Sequence, residues 1–390
     1  MSDVILVINS GSSSIKFSIF SNEEKLNLLY NGKIDNISDL PSFTVYNSTH
    51  QQIIKKTIAQ KGYEAGLQTF FQWVEKLADG IKIKAVGHRV VHGGQYFFHP
   101  TIVTDEVVEK IKSLIPLAPL HQPHNLRAIN IIKTIYPALL QVACFDTTFH
   151  HSQEKLAKAF AIPKKLTDEG VIRYGFHGIS YEYIASVMTK KIGQCANNRV
   201  IVAHLGNGAS MCAIHHGKSV ATTMGLTVLD GLMMGTRCGS IDPGVLLYLM
   251  KEKKYSEKQI EHLLYHESGL LGVSQLSSDA QKLLSSTNAN AMYAIELFCY
   301  HAALAFGSLA VALGGCDALI FTAGIGENAA FIRKKIADRL GWMGMTLNHQ
   351  SNQNNETIIS DHDSKIIVGV IPTHEEYMIA KHTWSAIEYG

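Results

Sequence analysis

Residues 4–19 read VILVINSGSSSIKFSI. Val4–Ile8 form an apolar run that breaks at Asn9 into Ser10-Gly11-Ser12-Ser13-Ser14, after which Ile15, Phe17 and Ile19 alternate with Lys16 and Ser18. A period of two resuming after a polar loop marks strand, tight turn, strand. A glycine turn can point several backbone N–H groups at one anion, serine hydroxyls add donors, and Lys16 supplies charge beside them. Taken alone, the stretch favours a polar hairpin turn with no ligand.

Residues 200–222, VIVAHLGNGASMCAIHHGKSVAT, repeat the pattern. An apolar run enters Gly206-Asn207-Gly208, a second strand follows, then a His216-Gly217-Lys218 turn and a third strand. Gly11-Ser12-Ser13 and Gly208-Ala209-Ser210 hold equivalent places, about half the chain apart. The expected fold is therefore α/β and duplicated, each half opening on an antiparallel meander and continuing with helices and further strands around a cleft. Two glycine hairpins facing one cleft would hold a polyphosphate from both sides. Neither matches the G-x-x-x-x-G-K-S/T phosphate loop, so a kinase of that class is unsupported.

The 390 residues suggest two or three domains, and 46% hydrophobic against 17% charged residues gives sizeable cores and argues against disorder. A net charge of +2 gives no reason to expect nucleic acid or an anionic membrane as partner. The six cysteines, Cys144, Cys195, Cys212, Cys238, Cys299 and Cys316, form no C-x-x-C pair; spacing leaves disulfides open, and a reduced cytoplasmic protein is the simpler reading. The early turn to polarity at Asn9, with no basic segment before it, argues against a secretory signal. Residues 297–316, LFCYHAALAFGSLAVALGGC, carry no Asp, Glu, Lys or Arg and are long enough to cross a bilayer. His301 inside the run and Gly314-Gly315 at its end favour instead a helix buried between two domains.

Further apolar runs predict strands near 26–34, 85–91, 139–145, 319–322 and 366–371. Helical spacing covers 104–114, 124–134, 178–191, 291–313 and 375–387, and the polar tract 350–364 reads as a surface loop. GHRVVHGG (87–94) places Arg89 on a short apolar strand, and a buried arginine requires anionic partners. LDGLMMGTRCGSIDPG (229–244) places Arg237 in a glycine-rich loop with few other charges. Two such arginines suit bidentate clamping of carboxylate or phosphate oxygens. ACFDTTFH (143–150) puts Asp146 just past an apolar run, and RYGFHG (173–178) puts His177 between an aromatic and a glycine. LIFTAGIGEN (319–328) reads as a strand into a glycine turn, with a helix from about Ala329, where a flat nucleoside could approach the backbone. IPTHEE (371–376) brings Glu375 and Glu376 to a strand end entering a helix. Capping by Thr373 with acids in the first turn explains it structurally; a carboxylate there could also hold Mg²⁺.

In order, the segments NSGSSSIK, GHRVVHGG, APLHQP, FDTTFH, RYGFHG, HLGNGAS, GLMMGTR, IDPG, FTAGIGEN and IPTHEE span nearly the whole chain. Together they resemble the acetokinase family, within the acetate and sugar kinase/Hsp70/actin superfamily. The resemblance implies duplicated ribonuclease-H-like (actin-like ATPase) domains flanking a central cleft. The first domain would be 1–147 completed by the C-terminal helix 373–390, and the second, 148–372, would carry most nucleotide contacts. It implies a cytoplasmic homodimer and reversible, Mg²⁺-dependent, direct in-line transfer of the ATP γ-phosphoryl to acetate, giving acetyl phosphate and ADP, with Mn²⁺ able to substitute. By the same resemblance Arg89 and Arg237 would bind the carboxylate and the phosphoryl in flight. His177 would stabilise that transition state, and Asp146 would be the active-site acid. Asn9 and Glu375 would hold Mg²⁺. Lys16, the turn His204, Leu205, Gly206, Asn207, Gly208, the segment Asp279, Ala280, Gln281, and the run Gly324, Ile325, Gly326, Glu327, Asn328 would contact the nucleotide. Val91, Leu120, Phe176 and Val228 would line the methyl pocket.

Elementary chemistry agrees with such a reaction. A carboxylate is ionised at neutral pH, so the obstacle is its repulsion from a polyphosphate, which arginines, a histidine and Mg²⁺ counter. The chain departs from the family's pattern at two places: Val228 stands where proline is usual, and Gln281 where an arginine commonly follows the aspartate. Phosphate-handling motifs leave propionate kinase, a broader short-chain acyl kinase and, more distantly, butyrate kinase open. From another class, an actin-like or chaperone-like ATP-driven binding protein shares the architecture, although its cleft would not need two arginines.

Overall fold

A computed structural model describes residues 2–77 and 81–389; Met1, Ala78–Gly80 and Gly390, which fall in the expected first domain, lie outside the described residues. The chain divides into two compact units, Met1–Thr148 with His374–Gly390, and Phe149–Thr373.

The first unit is built on β1 (Ser2–Ser10), β2 (Ile15–Ser21), β3 (Leu28–Asp35), β4 (Ser42–Asn47), β5 (Gln52–Thr57), β6 (Ile81–Val90), β7 (Thr101–Ile102) and β8 (Leu140–Phe145). They form one sheet in the order β5-β4-β3-β2-β1-β6-β8-β7. The meander β1 to β5 is antiparallel, whereas β6 runs parallel to β1 and β8 parallel to β6. Val4–Ile8 are buried on both faces of β1, which is why this central strand reads as a continuous apolar run. Phe17 packs on Phe70, ring centroids 4.6 Å apart, joining the sheet to the helix Tyr63–Lys76.

The second unit uses β9 (Arg199–Leu205), β10 (Ala209–His215), β11 (Lys218–Thr222), β12 (Ala318–Thr322) and β13 (Ile367–Val370), in the order β11-β10-β9-β12-β13. Here β9, β10 and β11 are antiparallel, and β12 and β13 continue in parallel. This order and sense repeat β3-β2-β1-β6-β8 of the first unit. The hairpins close at Ser10↔Ile15 and Leu205↔Ala209, so Gly11 corresponds to Gly206 rather than to Gly208, and Ala209 and Ser210 belong to β10.

Four local expectations change. The long apolar helix, Ala289–Leu313, packs one face on the helices Gly269–Ser274 and Ala330–Arg339 and on β10, all within the second unit, while Leu304 and Val311 are exposed. Residues 350–364 are not all loop: His349–Gln353 are helical, and Leu347↔Ser360 and Ile358↔Gly369 form β-bridges. The glycine run after β12 is itself a short helix, Ala323–Asn328, followed by Ala330–Arg339. The helix Glu375–Tyr389 is capped by His374, whose Nδ1 accepts from the Tyr377 N–H at 3.3 Å, rather than by Thr373.

Candidate active site

In the first unit, Asn9, Arg89 and Asp146 stand at the carboxyl ends of three neighbouring parallel strands, β1, β6 and β8. This is the end at which open α/β sheets place their ligand sites. The register sets Val90 beside Phe145, and the Asp146 N–H donates to the Val90 carbonyl at 3.0 Å. Arg89 Nε donates to the two Asp146 carboxylate oxygens at 3.0 and 3.2 Å, and Nη2 to Oδ2 at 2.7 Å. Its Nη1 lies 3.4 Å from Glu375 Oε2. Asp146 is 2% exposed. Burial alone would lower the basicity of Arg89; the charges of Asp146 and Glu375 overcome it and hold the guanidinium well above its usual pKa.

Glu375 arrives through packing. A Cβ on Gly87 would meet Thr383 Oγ1 and, at 2.6 Å, Ile379 Cγ2, so the bare glycine lets the C-terminal helix lie against β6. Asn9 faces Lys16 across the first hairpin. Val91 is buried, and its N–H donates to Asn125 Oδ1 at 3.1 Å; Leu120 is half-buried in the turn before the helix Gln122–Ile135.

Two residues of this unit had no role assigned from the sequence. Gln122 accepts from the His92 N–H at 3.3 Å and donates to the His92 carbonyl at 2.9 Å. Asn125 spans from Val91 to the Ser10 carbonyl, 3.0 Å from its Nδ2. Both are buried polar groups that lock the strand ends bearing Asn9 and Arg89. APLHQP supplied the glutamine, but no periodicity marks a polar side chain as a brace.

In the second unit, His177 sits in the left-handed conformation (φ 58°) where the helix Gly178–Ile192 begins. Its Nδ1 pairs with Ser210 Oγ at 2.8 Å, and Ser210 Oγ also lies 2.5 Å from the Tyr181 hydroxyl. The ring stacks on His204 at 4.3 Å, and His204 Nδ1 pairs with Ser180 Oγ at 2.8 Å. A Cβ on Gly208 would stand 2.6 Å from Arg237 Nη2 and 3.3 Å from His177 Nε2, so the guanidinium and the imidazole converge on this glycine. Arg237 Nη1 donates to the Val228 carbonyl at 2.6 Å. No carboxylate pairs with Arg237 among the described residues, and burial lowers its pKa to about 10. A half-buried cation with no carboxylate partner among the described residues is suited to an incoming anion.

The Gly206–Gly208 turn abuts the arginine loop, where the Gly235 N–H donates to the Asn207 carbonyl at 3.0 Å. A Cβ on Gly235 would lie 3.2 Å from the Ser278 carbonyl, which places the Asp279 segment alongside. Asp279 caps the helix Ala280–Leu284 by accepting from the Gln281 N–H at 2.8 Å; Ala280 is buried and Gln281 exposed. Leu205, the last residue of β9, is buried. Thr322↔His204 pairing sets the start of the 323–328 helix beside the end of β9. Gly324 is exposed with open space where a side chain would be, Ile325 is half-buried and Gly326 buried. Asn328 Nδ2 bonds back to the Gly324 carbonyl at 2.9 Å. Glu327 Oε1 is engaged by two backbone donors, Ala323 N–H at 2.8 Å and Thr373 N–H at 3.1 Å, and so holds the chain here. The buried Arg333, unassigned in the sequence, donates through Nη1 to the Gly326 and Glu327 carbonyls at 2.9 Å and through Nε to Asn352 at 2.8 Å.

The acetokinase family profile matches residues 4–381. The chain belongs to this family. An acetate kinase of Rhodopseudomonas palustris (strain TIE-1) is 48% identical over 397 residues, covering 100% of both proteins. An acetate kinase of Rickettsia felis is 44% identical over 384 residues, covering 98% of each. Among solved structures, a propionate kinase from Francisella tularensis superposes with a TM-score of 0.92 at 39% identity, over 98% of this chain and 99% of that one. The Porphyromonas gingivalis acetate kinase gives 0.89 at 34% identity, over 99% and 100%.

Proposed function

We propose that this acetokinase catalyses the reversible transfer of the γ-phosphoryl group of ATP to acetate, giving acetyl phosphate and ADP, by direct in-line displacement. The observation that carries the reading is the treatment of the two arginines. Arg89 is oriented by a bidentate contact to Asp146 and a second carboxylate, Glu375, while the half-buried Arg237 has no carboxylate partner among the described residues. Arg237 and His177 take the oxygens of the moving phosphoryl group, and Arg89 orients the acceptor carboxylate. Asp146 and Glu375 are held by Arg89, which makes them positioning groups rather than nucleophiles. The acceptor is already ionised, so no strong base is required.

Asn9 and Glu375 offer an amide and a carboxylate oxygen, which fits Mg²⁺, an ion commonly bound by one or two carboxylates together with water and substrate phosphates. Among the described residues the one group of three metal-capable side chains is the half-buried Asp361 with the exposed His362 and Asp363, away from both residues in sequence. Mg²⁺ held by Asn9 and Glu375 would neutralise phosphate charge, and Mn²⁺ would substitute. Lys16, His204–Gly208, Asp279–Gln281 and Gly324–Asn328 bind the nucleotide; the last segment is supported by the open space at Gly324. Val91, Leu120, Phe176 and Val228 form the acyl pocket.

The repeated strand order supports two ribonuclease-H-like domains, 1–147 with 373–390, and 148–372. A homodimer is supported by the helix Pro243–Lys251, on which Val245, Leu247, Tyr248 and Met250 are all exposed. Among the described residues the five cysteines Cys144, Cys212, Cys238, Cys299 and Cys316 are free, which suits a cytoplasmic protein. Valine at position 228, where proline is usual, changes pocket shape and loop stiffness, and propionate is expected to be used appreciably beside acetate. An acyl hydroxamate assay with ATP, Mg²⁺ and acetate, propionate or butyrate tests the reading. Hydroxamate is expected from acetate and appreciably from propionate; none from any of the three would overturn it.

A further inference from the structure

The turn that presents His177 needs an explanation, because His177 adopts a left-handed conformation that non-glycine residues rarely take (φ 58°). Gly175, two residues earlier, is also left-handed (φ 75°). The side chain packed into this turn is His150, which is 1% exposed. A Cβ on Gly175 would lie 2.6 Å from His150 Cδ2, so the imidazole rests directly on the glycine backbone. His150 Nε2 lies 3.0 Å from the Phe176 carbonyl oxygen, and Nδ1 lies 2.9 Å from Ser219 Oγ.

These contacts determine the tautomer. A carbonyl only accepts, so Nε2 carries the proton and Nδ1 is the acceptor. Ser219 then donates its hydroxyl proton to Nδ1 and receives the Gln153 amide at 2.9 Å. Cys212 Sγ, 3.3 Å from Ser219 Oγ, completes the surroundings. Burial holds the ring neutral, with its pKa lowered to about 4.

We propose that His150 is a positioning residue for the reaction: a neutral imidazole whose Nε2–H holds the Phe176 carbonyl and thereby fixes the left-handed turn that aims His177. Ser210 and Tyr181 fix the His177 ring from its Nδ1 side, and His150 fixes the backbone that carries it. This inference rests on the reading that His177 acts on the phosphoryl group and Phe176 lines the acyl pocket.

The test compares two amides that each keep half of the imidazole. His150→Gln places an N–H donor near the Nε2 position, whereas His150→Asn reaches only the Nδ1 position. Glutamine should retain kcat to within about 3-fold, and asparagine should lose about 10- to 100-fold, the scale of misaiming one catalytic group. Melting temperatures should be similar for the two variants. Long-range ¹H–¹⁵N spectra of histidine-labelled wild-type protein at neutral pH should show His150 protonated at Nε2 alone. An Nδ1-protonated ring, or activity in the asparagine variant equal to that in the glutamine variant, would overturn the proposal. His177→Asn serves as the separate arm: full activity there would remove the reading of His177, and the tautomer measurement would still decide whether His150 holds the Phe176 carbonyl.

Discussion

Removing Arg89 should damage stability and activity through two separable routes. In Arg89→Ala, Asp146 loses three guanidinium contacts of 2.7 to 3.2 Å, and Glu375 loses its ion pair at 3.4 Å. Stranding a buried carboxylate costs about 3–5 kcal/mol. Asp146 is 2% exposed, which argues for the full cost, but the Arg89 side chain is 19% exposed and water can enter the space it leaves. The lower end, about 3 kcal/mol, is therefore expected, a fall of roughly 6–12 °C in the melting of the first unit for a domain of its size. The hydroxamate assay should show a loss of at least ~100-fold in kcat/KM, the scale of one preorganised charge contact. The double variant Arg89→Ala/Asp146→Asn removes the stranded charge, so it should recover most of the melting temperature and none of the activity. Wild-type melting in the single variant, or recovery of turnover with recovery of stability, would refute the reasoning.

Gly208→Ala should push Arg237 away from His177, because its Cβ would stand 2.6 Å from Nη2; about 10- to 100-fold loss of kcat/KM is expected, and unchanged kinetics would show that the approach is not used. His88 is buried against Gln141, and burial lowers its pKa from 6.5 to about 4. The unfolded chain therefore binds a proton that the folded chain refuses, so the stability tied to neutral His88 is complete above pH 6.5 and is lost as pH falls through about 4. Urea unfolding between these limits should show about 1.4 kcal/mol per pH unit from this residue, and His88→Gln should flatten that part of the slope. Gln281→Arg should lower KM for ATP without altering acetate kinetics, since a guanidinium adds ~0.5–2 kcal/mol of stacking attraction to a base. An unchanged KM together with strong existing ATP over GTP selectivity would show that residue 281 does not face the base.

The repeated opening meander was legible because β1 and β9 are apolar runs that each break into a glycine turn, whereas the strand order beyond it was not. Their partners β8, β12 and the second half of β6 read as apolar runs as well. Arg89, Asp146 and Glu375 were legible as charges at the ends of apolar runs, and the structure brings these three together. The braces were not. Gln122, Asn125, His150 and Arg333 are buried polar side chains whose partners are mostly backbone groups distant in sequence, and neither periodicity nor composition records such contacts. The tract 350–364 read as loop for the same reason: its Asn352 is buried because Arg333 needs it. Gly324 and Gly326 disguised a helix because glycine disfavours helices locally, while Glu327 and Arg333 hold this one from outside its own hydrogen bonds.

The central claim is direct transfer, with the carboxylates Asp146 and Glu375 tied to Arg89 and unavailable as nucleophiles. The stereochemical course at phosphorus tests it most directly. ATP made chiral at the γ-phosphoryl with ¹⁶O, ¹⁷O and ¹⁸O is converted with acetate, and the configuration of the transferred group is determined. A single in-line displacement gives inversion, which is the expected result. Retention would mean two displacements through a covalent phosphoenzyme and would contradict the assignment of every carboxylate in the site.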